Sequence, residues 1–237
     1  MHYIENNPKT WKVYQKMIQT CKDFFVKNPI LVVRRLSHNK DDVWFADQLL
    51  IDLKKIKCKF WVIEELRVQP FSGVEDYNPN ILSLYISKLY KCDAHFLYFI
   101  GQIISYYDLS FFICNAKDIG FADVIVKDEN SKILPLEKLI QASIKARSIH
   151  IIRPTMTSKT FNELTKISHF ANLNLLILDY LHEDFDAEDF YKNQSTFCEL
   201  HFDRSISDVY KNRIKKILDE IIATEEFDYK PPFIHFN

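Results

Sequence analysis

Histidine is the residue type in this chain with the widest range of chemistry, because imidazole binds metals and exchanges protons near neutral pH. Of the eight histidines, His150 lies between two isoleucines and His201 between a leucine and a phenylalanine. On a strand, this pattern places each histidine on the face opposite its apolar neighbours. Glu199 and Asp203 flank His201 on the same predicted face, and His95 opens a further apolar run. These five residues are candidates for a polar, partner-binding face on a sheet.

A metal site is not favoured by this arrangement. Zinc needs three or four ligands at about 2.0–2.3 Å, whereas His95, His150 and His201 belong to predicted strands that are not neighbours. Two interpretations remain: a polar face that binds a partner, and surface histidines without a common role. We therefore predict no metal ligand in this chain.

Other signatures of catalysis are missing from the sequence. The acidic run His182–Asp189 lacks the spacing and the central glycine of a calcium loop, and its acids suit the start of a helix. No GxSxG motif is present, and Cys114 and Cys198 lie in apolar runs that indicate burial. We predict no catalytic residue and no cofactor. A hydrolase would need a pocket that unites a nucleophile with a base.

Composition narrows the class of protein further. Only 3 of the 237 residues are glycine, which excludes the closely spaced glycines of nucleotide-binding loops. An apolar fraction of 47% suits a substantial core, and a net charge of -1 provides no basic field for nucleic acid. The sequence shows no signal peptide, no long apolar span and no paired cysteine motif. We expect a protein of the cytoplasm or the nucleus, with no nucleic-acid or membrane partner.

Charge is distributed unevenly along the chain. Residues 1–60 hold 12 basic and 6 acidic side chains, whereas residues 183–229 hold 6 basic and 13 acidic ones. These segments form either two solvated surfaces of opposite sign or an end of the molecule that docks electrostatically.

Apolar patterning predicts alternating strands and helices. The segment Asn7–Pro29 reads as one helix, Ala46–Leu53 as a short helix and Gln69–Asn80 as a mobile loop. Strands are predicted at Ile30–Val33, Phe60–Ile63, His95–Ile100, Ala122–Val126, Ser148–Ile152, Leu173–Leu178 and Phe197–Phe202. Further helices are predicted at Pro79–Lys91, Ser105–Ala116, Pro135–Ala146, Ser158–Phe170, Asp186–Asn193 and Ser205–Thr224.

The spacing of the predicted strands indicates a repeat. Markers at the strand centres after the first follow one another at steps of 27, 25, 26 and 23 residues, within the roughly 20–29 residues of leucine-rich repeats. We therefore predict an α/β fold of the right-handed β/α solenoid type, resembling leucine-rich repeats, with an N-terminal helical cap. A compact α/β sheet is the alternative.

Several segments resemble a large family of Caenorhabditis F-box-related proteins. The matching segments span nearly the whole chain: Asn7–Pro29, Cys58–Val62, Thr157–Leu164 and Glu226–Pro232. The resemblance implies an F-box-like helical remnant and connecting region at 1–56, and a leucine-rich-repeat-like domain at 57–237. An F-box normally begins with a Leu-Pro segment and an amphipathic helix ahead of the matched region, so the resemblance implies a truncated F-box.

What the resemblance implies about function is a substrate receptor of a Skp-cullin-F-box ubiquitin ligase, whose repeats select a protein partner and whose F-box docks on a Skp-type adaptor. The alternative is a free-standing protein that sequesters its partner without ubiquitin transfer. Either way, we expect a non-enzymatic recognition protein. Trp11, Tyr14 and Phe24 of the first helix either cap the end of the repeats or anchor a partner, since aromatic residues are enriched at binding hot spots.

Overall fold

The computed structural model describes residues 8–40, 43–69, 77–157, 159–183, 185, 196–227 and 229–236. The chain forms two compact units, Met1–Ala116 and Lys117–Asn237. Most of the expected loop at Gln69–Asn80 and all of the expected helix at Asp186–Asn193 lie outside the described residues.

The first unit contains a mixed sheet. Its strands are β1 (Ile30–Lys40), β2 (Val43–Ala46), β3 (Leu49–Ile51), β4 (Lys59–Val68), β5 (Leu89–Cys92) and β6 (Phe96–Ile100). A further strand of this unit, β7 (Ile103–Ser105), lies outside this sheet. β1 runs parallel to β4, and β4 pairs in parallel with β5 along its first half and with β6 along its second half. β2 and β3 extend the other side of β1 as antiparallel strands. The pairing of β1 with β4 joins the two sides of the expected boundary at residue 56.

The helices of the first unit, within its described residues, are α1 (Trp11–Thr20), α2 (Lys22–Lys27), α3 (Ile81–Tyr85) and α4 (Tyr106–Ile113). The prediction of one helix over Asn7–Pro29 is wrong. Cys21 adopts an extended conformation that separates α1 from α2, and the Thr20 hydroxyl donates back to the Met17 carbonyl. Ser105 caps α4 as expected, and Thr10 caps α1. The expected cap Asn7 lies outside the described residues.

The expected short helix at Ala46–Leu53 is also wrong, because β2 and β3 form a hairpin there. Asp47 and Gln48 both have positive φ, at 49° and 73°, the backbone of a two-residue type I′ turn. Glycine and asparagine usually mark such turns, and neither occurs at these positions. The sequence signal for this hairpin was therefore weak.

The second unit contains a parallel sheet with neighbours in chain order. Its strands are β8 (Asp118–Ala122), β10 (Ser148–Ile152), β11 (Leu175–Leu181), β12 (Cys198–Phe202) and β13 (Phe233–Phe236). A further strand of this unit, β9 (Ile125–Lys127), lies outside this sheet. β8, β10, β11, β12 and β13 pair in that order. Ser148–Ile152 was predicted with its correct bounds. The expected strand at Ala122–Val126 is wrong, because Asp123, with a φ of 53°, separates β8 from β9.

The helices of the second unit, within its described residues, are α5 (Leu136–Ala142), α6 (Thr160–Leu164) and α7 (Asp208–Ala223). Their apolar side chains are buried together with one face of the sheet. Phe202 of β12, for example, lies 5.7 Å from the ring of Tyr210 on α7. Ser207, not the expected Ser205, caps α7 by accepting from Tyr210 N.

The structure confirms a mixed α/β fold with mostly parallel strands. Four residues on neighbouring strands of the second sheet pair with one another: Ile119, Ile149, Leu176 and Cys198. The successive steps between them along the chain are 30, 27 and 22 residues. These steps are less regular than those expected, since the predicted marker Val124 lies outside the strands. This topology does not show the expected right-handed β/α solenoid.

Candidate functional site

The sheet of the second unit has one apolar face and one polar face. Along β10, β11 and β12, side chains alternate between full burial and partial exposure. The partly exposed side carries His150, Asp179, Glu199 and His201, and we call it the polar face. The alternation predicted from the apolar neighbours of the two histidines is thus present in the fold.

Asp179 connects the two histidines across three strands. Its Oδ2 lies 2.6 Å from Nε2 of His150 on β10, where the imidazole donates when that nitrogen carries the proton. Its Oδ1 lies 2.6 Å from Nδ1 of His201 on β12. This distance suits an ion pair when the imidazole is protonated, although the angles are not those of a hydrogen bond. One carboxylate therefore bridges two imidazoles.

His201 has two further neighbours on the polar face. Oε2 of Glu199 lies 3.9 Å from its Nε2, and the ring of His235 on β13 packs edge to face at 4.9 Å. The side chains of His201, Glu199 and Asp179 are 25%, 32% and 14% exposed. The polar face is thus an ordered row of donors and acceptors within reach of a partner.

Asp179 and His235 were missed by sequence reasoning. Both sit at alternate positions of short apolar strands, so the signal that identified His150 and His201 was also present for them. In the register of the sheet, Asp179 lies beside His201, and His201 beside His235. Only the strand order shows that these side chains meet, because Asp179 lies on the strand between the two histidines.

A second polar row lies where the strands of this unit end. Arg153 follows β10, and its Nη1 lies 2.7 Å from both carboxylate oxygens of Asp123, which follows β8. Its guanidinium also lies 4.7 Å from the ring centre of Tyr180 in β11. All three have positive φ, between 53° and 58°, and backbone strain of this kind is concentrated at functional sites.

Asp203, the remaining candidate of this unit, directly follows β12. Its Oδ1 accepts from Ser205 N at 2.8 Å. The bonds from Ser205 lower the pKa of Asp203, and the charges of His182 and Arg153 add to this effect. Asp203 therefore interacts electrostatically with Arg153, which also lies at the strand ends.

The three aromatic candidates of the first unit differ in their surroundings. Tyr14 is 1% exposed and packs with Ile30 and Trp61 in a core cluster. Trp11 packs partly buried against that cluster, and Phe24 of α2 is half-buried. The burial of Tyr14 supports the interpretation of α1 as a cap, and leaves Trp11 and Phe24 accessible to a partner.

Trp11 and His95 line the same cleft of the first unit, a cavity of about 880 Å³. Its wall is formed mainly by charged side chains of β1 and β4, among them Arg34 and Glu64. His95 is exposed at the rim, and its backbone nitrogen donates to the carbonyl of Glu64 at 2.9 Å. The cleft and the polar face lie in different units, so the candidates divide into two surfaces.

The thiols of Cys92 and Cys198 are buried and are therefore poorly placed for covalent chemistry. Burial raises the pKa of the Cys92 thiol to about 12 and that of the Cys198 thiol well above its ordinary value. Cys198 is buried as expected, whereas the expected burial of Cys114 is wrong, because Cys114 is exposed at the end of α4. His150 and His201 contact carboxylates. Within the described ranges, no three histidine, cysteine, aspartate or glutamate side chains are placed to hold a metal ion.

Comparisons with models of protein families, with curated proteins and with solved structures found no match for this chain. Among the helices of the described residues, none is long and apolar enough to cross a membrane. The class of the protein therefore has to be inferred from its α/β fold and from the side chains of its partly exposed sheet.

Proposed function

We propose that this protein is a non-enzymatic recognition module that binds a protein partner on the polar face. The observation that carries the proposal is the alternation along β10, β11 and β12, which buries one face and leaves the other partly exposed. Parallel sheets are usually covered on both faces. A parallel sheet with a partly exposed, polar face therefore provides a surface for a partner.

The chemistry of the polar face suits recognition. Asp179 orients His150 and His201 through contacts of 2.6 Å, so the row is organised before a partner arrives. Such preorganisation reduces the entropy lost on binding. The neighbouring Tyr180, which is 37% exposed, provides the kind of aromatic contact that dominates many interfaces.

The sequential parallel strands support a leucine-rich-repeat-like array, with α1 as its cap. In this proposal the Tyr14–Ile30–Trp61 cluster closes the apolar end of the first unit, as terminal caps do in repeat proteins. Tyr14 of the cap then has a structural role, whereas the partly buried Trp11 is available to a partner.

The ubiquitin-ligase context is proposed from the family resemblance of the sequence. It is tested by pull-down of the full chain with a Skp-type adaptor, using Trp11→Ala as a variant in the cap. Association that Trp11→Ala weakens supports a substrate receptor. Absence of association excludes the ligase context and favours a free-standing protein that sequesters its partner.

Partner binding on the polar face is tested by site-specific photo-crosslinking in cells. A photoreactive amino acid replaces Ile177, which is half-buried on the polar face, and in a matched chain replaces Val209, which is 82% exposed on α7. We expect one protein to be cross-linked from position 177 and not from position 209.

Charge reversal provides the control for this experiment. Glu199→Arg on the polar face should abolish the adduct at position 177, whereas Asp219→Arg, an exposed site on α7, should leave it unchanged. Equal adducts from positions 177 and 209, or an adduct that survives Glu199→Arg, would show that the polar face is not the recognition surface.

A further inference from the structure

We propose that the cleft of the first unit binds an acidic, partly apolar segment of a partner protein. The cleft contains Trp11, Val32, Ile63 and Phe96 beside three arginines, Arg34, Arg35 and Arg67. This inference rests on the proposed function only in taking the occupant to be a protein, since the cleft and the polar face lie in separate units.

An irregularity in the sheet creates the charged wall of the cleft. Between the pairs Val33–Val62 and Arg35–Glu65, β1 has one residue and β4 has two. This extra residue is a β-bulge, which re-aims side chains and interrupts their alternation. Glu64 and Glu65 of β4 are consequently both partly exposed, although they are consecutive in a strand, and they face the exposed Arg34 and Arg35 of β1. Bulges of this kind are frequent next to functional sites.

The charges of the wall are arranged in two layers. The arginine side chains are the more exposed, at 67% for Arg34, 57% for Arg35 and 42% for Arg67, whereas Glu64 and Glu65 are 35% and 23% exposed. A ligand entering the cleft therefore meets guanidinium groups before it meets Glu64 and Glu65. The third carboxylate of the lining, that of the exposed Asp47, already accepts from Arg35 N at 2.8 Å.

The carboxylates of the inner layer are already engaged. Glu64 accepts from Nε of Arg34 at 2.7 Å, and Arg34 lowers the pKa of Glu64 through this bond. Glu65 accepts from Nε of Arg67 at 2.8 Å and lies 3.7 Å from Nε of Arg35. Each of these contacts uses a single Nε, and a guanidinium has five N–H donors. The cleft is thus rich in donors, which fit the carboxylates of an acidic partner.

Two features favour a peptide over a nucleic acid. Arg34, Arg35 and Arg67 are balanced in the lining by Asp47, Glu64 and Glu65. The cleft therefore provides short-range donors for individual carboxylates but lacks the strong positive field that successive phosphates require. Apolar and aromatic side chains also contribute to the lining, and Phe96 is 54% exposed. A segment that alternates acidic with apolar side chains matches both components.

Fluorescence polarisation with defined probes tests this proposal on the full chain. The probes are a labelled decapeptide that alternates glutamate with leucine, its lysine-for-glutamate counterpart, and a ten-nucleotide oligothymidylate. We expect the glutamate peptide to bind at least about tenfold more tightly than the lysine peptide, and to weaken with added salt, because exposed ion pairs are screened.

Substitutions locate the binding. Arg34→Glu and the milder Arg34→Gln should each weaken the glutamate peptide, by about tenfold for Arg34→Glu. Arg204→Glu, an exposed arginine of the second unit, is the matched control and should change binding less than about twofold. Unchanged thermal unfolding shows that a variant is folded. Because Arg34→Gln removes the charge without adding an acid, it separates loss of the guanidinium donors from repulsion by a new carboxylate.

Three outcomes would overturn the proposal. They are equal affinities for the two peptides, a higher affinity for the oligonucleotide than for the glutamate peptide, and an affinity for the glutamate peptide that Arg34→Glu does not reduce more than Arg204→Glu does. None of them bears on the photo-crosslink at position 177. Conversely, failure of that cross-link leaves the peptide experiment valid. The two proposals therefore stand or fall separately.

Discussion

The hydroxyl of Tyr14 lies 3.1 Å from the backbone nitrogen of Ile30 and accepts its hydrogen bond, while donating to the carbonyl of Asn28 at 2.8 Å. One side chain of α1 thus completes the hydrogen bonds of the chain where β1 begins. Burial raises the pKa of this phenol, so the group remains a neutral donor and acceptor. The first helix is therefore anchored to the sheet by a polar contact inside an apolar cluster.

Removal of this hydroxyl should destabilise the protein. Tyr14→Phe keeps the ring in the core but leaves the Ile30 nitrogen without its acceptor, which costs about 1–2 kcal/mol in the free energy of unfolding. Urea unfolding measures this change. Tyr107→Phe, at a position 84% exposed on α4, is the control with almost no expected effect. Equal stabilities of the two variants would contradict the anchoring role of Tyr14.

Asp179 should stabilise the second unit through both histidines. Asp179→Ala leaves His150 and His201 without their shared carboxylate, and we expect a loss of about 1 kcal/mol, since the site is partly exposed to water. Asp208→Ala, whose side chain is 97% exposed at the start of α7, is the comparison. A loss at Asp208 as large as that at Asp179 would show that the bridge contributes nothing beyond an ordinary surface acid.

Alkaline pH should destabilise the fold through Cys92. Burial raises the pKa of its thiol from 9.0 to about 12 in the folded state. Above pH 9 the unfolded chain loses this proton and the folded chain keeps it, so stability falls as pH rises. The slope for one such group is about 1.4 kcal/mol per pH unit. Cys198 and Cys58, whose pKa values are also raised by burial, act in the same direction.

Urea unfolding in reducing buffer between pH 8 and pH 9.5, compared with that of Cys92→Ala, gives the contribution of Cys92. This range lies below the ordinary pKa of Tyr77, whose burial raises it from 10.0 to about 12. Cys92→Ala should flatten the decline in stability, whereas Cys21→Ala, at an exposed site, should not. A decline that is identical in all three proteins would disprove the assignment to Cys92.

The hairpin turn offers a stabilising substitution. Gln48 has a φ of 73°, a conformation that costs a residue with a side chain more than it costs glycine. Gln48→Gly should therefore raise the free energy of unfolding by about 0.5–1 kcal/mol. Lys215→Gly, in the middle of α7, should lower it by a similar amount. Thermal unfolding distinguishes the two, and a loss of stability for both would place Gln48 outside this turn geometry.

Start signals of helices show how local cues succeed and fail. Ser105 and its partner Asp108 N are three residues apart, and this cap was readable from the sequence. For the last helix, Ser205 and Ser207 are equally good caps by residue type, and only Ser207 accepts from the helix, at Tyr210 N. Its choice also depends on Glu183, which accepts from the hydroxyl of Ser207 at 3.0 Å. A contact over 24 residues cannot be read from a local pattern.

The candidate site shows the same division. The sequence by itself determined that His150 and His201 lie on the face opposite their apolar neighbours, because alternation along a strand is a property of the local backbone. It also determined the α/β class, since short apolar runs alternate with helical spacing. These features depend on residues within one turn or one strand.

The tertiary structure alone decided which polar side chains meet. Asp179 bridges His150 and His201 because β11 lies between β10 and β12, and Glu64 and Glu65 both line the cleft because β4 contains an extra residue opposite β1. Strand order and register are set by packing over the whole chain. A shift of the register by one residue moves every side chain of a strand to the other face of the sheet. The sequence therefore determined the kinds of surface this protein has, and long-range pairing determined the sites on them.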